Sequence, residues 1–203
     1  MMKGLFFNKL TNIHRLLILG VGFVLISVFF VPIWFISLGA PQYPEGLGMQ
    51  IWIYKVTGAT PYDLQNINLL NHYIGMHEIV SDSIPELLFM PYVLGYLILG
   101  ALFTAIFPRV YMVLLGIFNF VLLGLVGLID FWRWEYNYGH NLNPEAPIIV
   151  PGMAYQPPLL GCKEMLNITA CSFPSWGGIV LLLAISILVL IVIREKSRSK
   201  NEV

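Results

Sequence analysis

The chain of 203 residues is 58% hydrophobic and 11% charged, with a mean hydropathy of +0.78. Soluble domains run at about 45–50% apolar and about 25% charged, so these figures exclude an ordinary soluble domain and a disordered one. A net charge of zero, from 11 basic and 11 acidic residues, argues against a nucleic-acid binder, and two cysteines are too few for a disulfide scaffold, which leaves an integral membrane protein.

A membrane-spanning helix needs about 20 mostly apolar residues. Four segments qualify: residues 17–38, 87–107, 110–129 and 176–193, none of which contains Lys, Arg, Asp or Glu. Their long Leu/Ile/Val/Phe-rich runs predict helices rather than alternating barrel strands. Pro91 sits in the first turns of the second span, where proline is tolerated. The first span follows Lys3, Lys9 and Arg15, as a signal peptide would, but its apolar stretch is longer than the usual h-region, so it reads as an uncleaved anchor.

Basic residues favour the cytoplasmic side. Lys3, Lys9, Arg15, Arg109, Arg194, Lys196, Arg198 and Lys200 all fall at one side of these spans; Lys55, Arg133 and Lys163 fall at the other. The expected topology therefore has a cytoplasmic N-terminal tail (1–16), a cytoplasmic turn (108–109) and a cytoplasmic basic tail (194–203). Of the acidic residues only Glu195 and Glu202 share that side. The expected location is the inner membrane.

Two long segments, 39–86 and 130–175, face outward, and connectors have a median of only about 4–6 residues. In the first, Met49 to Val56 alternates apolar and bulky residues and predicts a strand. Asp63 to Val80 carries Leu64, Ile67, Leu70, Ile74 and Met76 at helical spacing and predicts an amphipathic helix. In the second, Phe131, Trp132, Trp134, Tyr136 and Tyr138 read as an interfacial aromatic belt around Asp130, Arg133 and Glu135. The proline-rich stretch 147–161 reads as extended, and Ile148 to Val150 is expected to pair with the first-loop strand. The fold class is an all-α membrane protein: four transmembrane helices under a small extracytoplasmic α+β cap built from two loops.

His72 and Met76 stand four apart on the predicted helix, with His77 adjacent. Imidazole and thioether together suit copper, because soft sulfur selects Cu(I), and His140 and Met153 could join from the second loop. On the sequence alone the stronger reading of the same residues is a core methionine beside solvent-facing or hydrogen-bonded histidines. Cys162 and Cys171 both lie outside, where a disulfide, two free thiols or metal ligation are each open. Asn167-Ile-Thr169 is formally a glycosylation sequon, which has no meaning in a bacterial chain. No Gly-x-Ser-x-Gly, His-Glu-x-x-His or phosphate-cradling glycine loop occurs, and Glu45, Glu78, Asp82 and Glu135 are unpaired along the sequence, so no enzyme is expected. The spans lack the ionisable residues of transporters and pumps.

Four phrases carry a family resemblance: Ala40-Pro-Gln-Tyr-Pro-Glu-Gly-Leu, Asn68-Leu-Leu-Asn-His-Tyr-Ile-Gly-Met, Trp134-Glu-Tyr-Asn-Tyr-Gly-His-Asn-Leu and Val150-Pro-Gly-Met-Ala-Tyr-Gln-Pro-Pro-Leu-Leu-Gly. Together they resemble a poorly characterised family of small four-span membrane proteins of Bacteroidetes-type bacteria. That family is often encoded near the maturation genes of nitrous oxide reductase, a periplasmic copper enzyme. The resemblance spans most of the chain and implies an accessory factor for periplasmic copper handling or reductase maturation. His72, Met76, His77, His140 and Met153 would then be the copper ligands. The alternative is a non-catalytic membrane scaffold whose outer cap docks a periplasmic or membrane protein partner. A claudin-type tetraspan shares the four-span layout and a strand-bearing first loop, but carries its cysteines in the first loop rather than the second.

Overall fold

The computed structural model describes residues 6–201. Among these, four helices are long and apolar enough to cross a membrane: Asn12–Phe29, Glu86–Ile106, Val110–His140 and Trp176–Ser199. The chain is a multi-pass membrane protein with a small five-stranded sheet at one end of the helical bundle.

Helix α1 (Asn12–Ile26) starts at Thr11, whose hydroxyl accepts from the His14 amide at 3.4 Å, and a single 3-10 turn (Ser27–Phe29) prolongs it. The expected span 17–38 is thereby corrected at both ends. A capping side chain sets the start of a helix, whatever the hydropathy of the first turn. Pro32 sets the stop: it has no amide to donate, and it pushes the preceding residue out of the helical region. The apolar run then continues as strand β1 (Trp34–Ala40).

The other strands are β2 (Tyr43–Ile51), β3 (Val56–Gly58), β4 (Gly161–Met165) and β5 (Ile168–Pro174). They form an antiparallel sheet in the order β3-β2-β1-β5-β4, so both inter-span segments build one cap around a central β1. Two expectations are corrected here. The strand expected over 49–56 is divided by a turn in which the Trp52 amide donates to the Lys55 carbonyl at 2.8 Å. Ile148 to Val150 stays outside the sheet, and β5 takes the place beside β1. Pro147 and Pro151 flank that tripeptide, and the Ile148 amide is engaged by the Tyr73 carbonyl at 2.9 Å.

Helix α2 (Asp63–Ile74) ends at Gly75, which adopts φ 82° and donates back to Asn71 and His72. A glycine in the left-handed conformation closes a helix, which is why the amphipathic pattern running on to Val80 does not extend it. Helix α3 (Glu86–Ile106) follows the expected second span closely. Helix α4 (Val110–His140) has 31 residues, so it continues through the region 130–140 expected as loop. At about 1.5 Å per residue it is roughly 46 Å long, well beyond the roughly 30 Å of a hydrocarbon layer. Helix α5 (Trp176–Asn201) likewise runs past residue 193 into the basic tail, since Arg, Glu and Lys are good helix formers.

In the bundle, α1 and α4 each pack against both α3 and α5. Ile18, Val21, Leu25, Leu94, Val113, Leu188 and Ile191 make its core. The remaining apolar surface is outward-facing: only 6% of the most apolar window of α4 is buried. Such a surface is stable against lipid and not against water. At the end opposite the cap, the Leu10 amide donates to Pro108 at 2.9 Å, and Glu195 on α5 accepts from the Thr11 amide at 3.2 Å. At the cap end, a Cβ on Gly178 would stand 2.6 Å from the Ile33 carbonyl, so glycine is what lets α5 start directly on the approach to β1.

Candidate functional site

The cap is organised by the projecting end of α4. Phe131, Trp134 and Tyr138 recur at helical spacing and pack under the sheet against Ile36, Leu47, Met49, Val56 and the α2 residue Ile67. The Trp34 and Phe131 rings meet edge-on at 5.6 Å, and the Trp34 indole N–H donates to Ser172 Oγ at 2.7 Å. The aromatic residues expected as a lipid-interface belt are therefore divided. One face of the helix serves the cap, while Trp132 and Tyr136 remain exposed on another.

On that covered side lies Glu135, with no exposed surface and no hydrogen bond to either carboxylate oxygen. The Trp134 indole N–H and the Tyr155 hydroxyl are buried without partners as well. Buried polar groups are normally paired, because stripping water from an unpaired one costs about 1–3 kcal/mol. The loop that carries Tyr155 is pinned close by. The Tyr155 amide donates to the Gly139 carbonyl at 2.9 Å, one helical turn beyond Glu135. A Cβ on Gly139 would come within 2.4 Å of the Gln156 nitrogen. The loop backbone thus lies directly on the helix one turn beyond the buried carboxyl. Glu135 appears in the sequence only as one of several outer carboxylates; its burial is a tertiary feature that no local pattern announces.

The expected copper ligands are distributed over several surroundings. Met76 and Met153 pack into one apolar cluster under the sheet with Met165 and Tyr155. The histidines each take a separate aromatic neighbour. His72 meets Tyr73 at 6.0 Å, His77 meets Tyr138 at 6.1 Å, and His140 stacks on Tyr136 at 3.9 Å, with Nδ1 3.0 Å from the Tyr136 carbonyl. All three histidines are exposed. Among the described residues no three of His, Cys, Asp and Glu gather closely enough to hold a metal ion. Cys162 and Cys171 face each other across the β4–β5 hairpin and are joined as a disulfide.

A second buried carboxylate, Asp63, fastens α2 to the sheet. It accepts from the Gly48 amide at 2.9 Å, the Thr60 amide at 3.1 Å and the Thr60 hydroxyl. Burial alone would raise its pKa, but these three hydrogen bonds outweigh that and hold the carboxyl below its ordinary value.

The cap also carries an exposed apolar patch. Leu69 and Tyr73, one turn apart on α2, adjoin Ile148 through the Ile148 amide to Tyr73 carbonyl bond at 2.9 Å. Ile149 and Val150 continue the patch, with Ile149 62% exposed. No family model matches the chain, and no curated protein matches it.

Proposed function

We propose that the protein is a non-catalytic membrane scaffold whose cap docks a partner polypeptide. The observation that carries this reading is the apolar patch of Leu69, Tyr73, Ile148, Ile149 and Val150, which belongs to the two segments between the spans. The segment Ile148 to Val150 is held between two prolines and tied to α2, so it is presented in a set conformation. An apolar patch on a rigid loop outside the membrane supports a protein contact. In this reading the cap lies on the extracytoplasmic side of an inner membrane. Supporting this are the basic residues Lys9, Arg15, Arg109, Arg194, Lys196 and Arg198 at the opposite end, and the Cys162–Cys171 disulfide in the cap.

A photo-crosslinking residue at position 149 in the full chain, in native membranes, tests this. A defined adduct that disappears in a Leu69→Ser, Tyr73→Ser background is expected. The absence of any adduct specific to that position rejects docking through the patch.

A second reading, Cu(I) handling in support of a periplasmic copper enzyme, is favoured by one observation: Met76, Met153 and Met165 share one cluster beneath the sheet. Thioethers are soft ligands that select Cu(I). Titration of the purified protein with Cu(I) against a competing chelator discriminates the readings. Loss of binding in a Met76→Leu, Met153→Leu, Met165→Leu variant supports copper. Unchanged chelator competition between wild type and that variant rejects it.

A further inference from the structure

A hollow of about 360 Å3 opens in the bundle between α1, α3 and α4, in the size range of small-ligand sites, about 300–1,000 Å3. Its walls are hydrocarbon: Val21, Leu97, Ala101, Val113 and Phe120 among them. Tyr96, Thr104 and Asn119 add polar groups to its wall, and the last two are engaged by their own helices. The Thr104 hydroxyl donates to the Gly100 carbonyl at 2.8 Å, and the Asn119 amide donates to the Leu115 carbonyl at 2.9 Å. Each satisfies its own helix backbone, so neither is aimed at a polar ligand. Gly100 and Gly116 also line the hollow, and a Cβ on either would meet nothing within 4 Å.

A polar depression lies beside the hollow. This depression, of about 490 Å3, shares Phe103 and Met112 with the hollow and leads to the end of the bundle opposite the cap. There it is lined by Lys9, Arg109 and Tyr111. Backbone pairing between Lys9 and Arg109 holds the two cations side by side. One Arg109 nitrogen donates to the Phe7 carbonyl at 2.9 Å, and the rest of its guanidinium fork has no partner among the described residues. A hydrocarbon-lined hollow beside a depression lined by paired cations has the polarity of one kind of molecule. We propose that it holds one acyl chain of an anionic phospholipid, with the phosphate against Lys9 and Arg109. The fork geometry of arginine suits phosphate oxygens, and basic residues at a membrane surface draw anionic headgroups.

Native mass spectrometry of the delipidated full chain in detergent tests this. The protein is incubated with phosphatidylglycerol or with phosphatidylcholine of the same acyl composition. Preferential retention of one phosphatidylglycerol is expected, with about a fivefold loss of that preference in Lys9→Gln, the effect of one surface cation. Arg109→Gln should lose at least as much. Because it also frees the Phe7 carbonyl, its thermal unfolding is measured alongside, and Lys9→Gln decides if it fails to fold. Gly116→Leu fills the hollow without touching either cation and should abolish retention. Equal retention of both lipids, or retention unchanged in Gly116→Leu, overturns the proposal. So does displacement of phosphatidylglycerol by millimolar inorganic phosphate, which would mark a phosphate site that makes no use of the chain.

Discussion

The amide of Tyr155 donates to the carbonyl of Gly139 at 2.9 Å, and this bond lays the long loop of the cap onto the projecting end of α4. The approach is so close that there is no room for a side chain at Gly139 between helix and loop.

Substitution at Gly139 should therefore release the loop. In Gly139→Val a Cβ would stand 2.4 Å from the Gln156 nitrogen, which must shift. Overpacking of this kind costs about 1–3 kcal/mol. Limited proteolysis should show faster cleavage between residues 141 and 160, with α4 itself intact. Cleavage at the wild-type rate would show that the loop is held by its other contacts.

Glu135 has the opposite expectation. Its carboxyl is buried with neither oxygen paired, so a leucine of similar reach removes the desolvation cost of both oxygens. Glu135→Leu should raise the stability of the cap by about 1–3 kcal/mol, read as an upward shift in thermal unfolding. Glu135→Gln keeps an unpaired polar group in place and should gain less. A leucine variant less stable than wild type would mean that the carboxyl has a partner in the membrane-embedded protein.

Asp63 makes the cap acid-sensitive. Its pKa in the folded chain lies below its ordinary value, so the folded state holds its proton less tightly than the unfolded chain does. The stabilisation is complete above the unfolded pKa of about 3.9 and is lost as pH falls from there through the folded pKa. Wild type should lose cap stability on acidification below about pH 4, and Asp63→Asn should show a shallower loss over the same window. At neutral pH Asp63→Ala should cost about 2–4 kcal/mol, because it strands the Gly48 and Thr60 amides.

Reduction should loosen the β4–β5 hairpin. The Cys162–Cys171 bridge closes a loop with a sequence separation of 9. Loop-closure entropy for so short a loop gives about 2–3 kcal/mol. Cys162→Ser, Cys171→Ser should lower the unfolding temperature of the cap, and added dithiothreitol should do the same to wild type but not to the variant. Equal response of both to dithiothreitol would contradict a disulfide role.

Much of the bundle is legible in the sequence. Uncharged runs of about 20 apolar residues have one stable solution in a bilayer, and the α3 and α5 starts fall within one residue of the expected positions 87 and 176. The first span shows where hydropathy stops discriminating. Residues 27–40 are as apolar as the helix before them, but Pro32 and the backbone partners available in β2 and β5 convert their second half into a strand. Hydropathy measures transfer from water and is blind to which backbone groups are paired. The end of α4 fails in the same way: Trp132, Trp134, Tyr136 and Tyr138 have the composition of an interfacial belt, yet alternate ones pack under a sheet that sequence proximity does not indicate.

For the candidate site, the residue types were visible and their assembly was not. Met76 and Met153 are brought together, and His72, His77 and His140 are not, because the former point under the sheet and the latter lie on exposed faces of α2, α4 and the segment between α2 and α3. Composition and the spacing of apolar runs by themselves determined that this is a four-span membrane protein with two substantial segments between its spans, since those properties follow from the solvation of each segment taken alone. Only the tertiary structure decided that the two segments merge into one sheet, that Glu135 is buried, and that a hydrocarbon-lined hollow adjoins a depression lined by Lys9 and Arg109. Each of these is a relation between residues far apart in the chain, settled by which surfaces exclude water together.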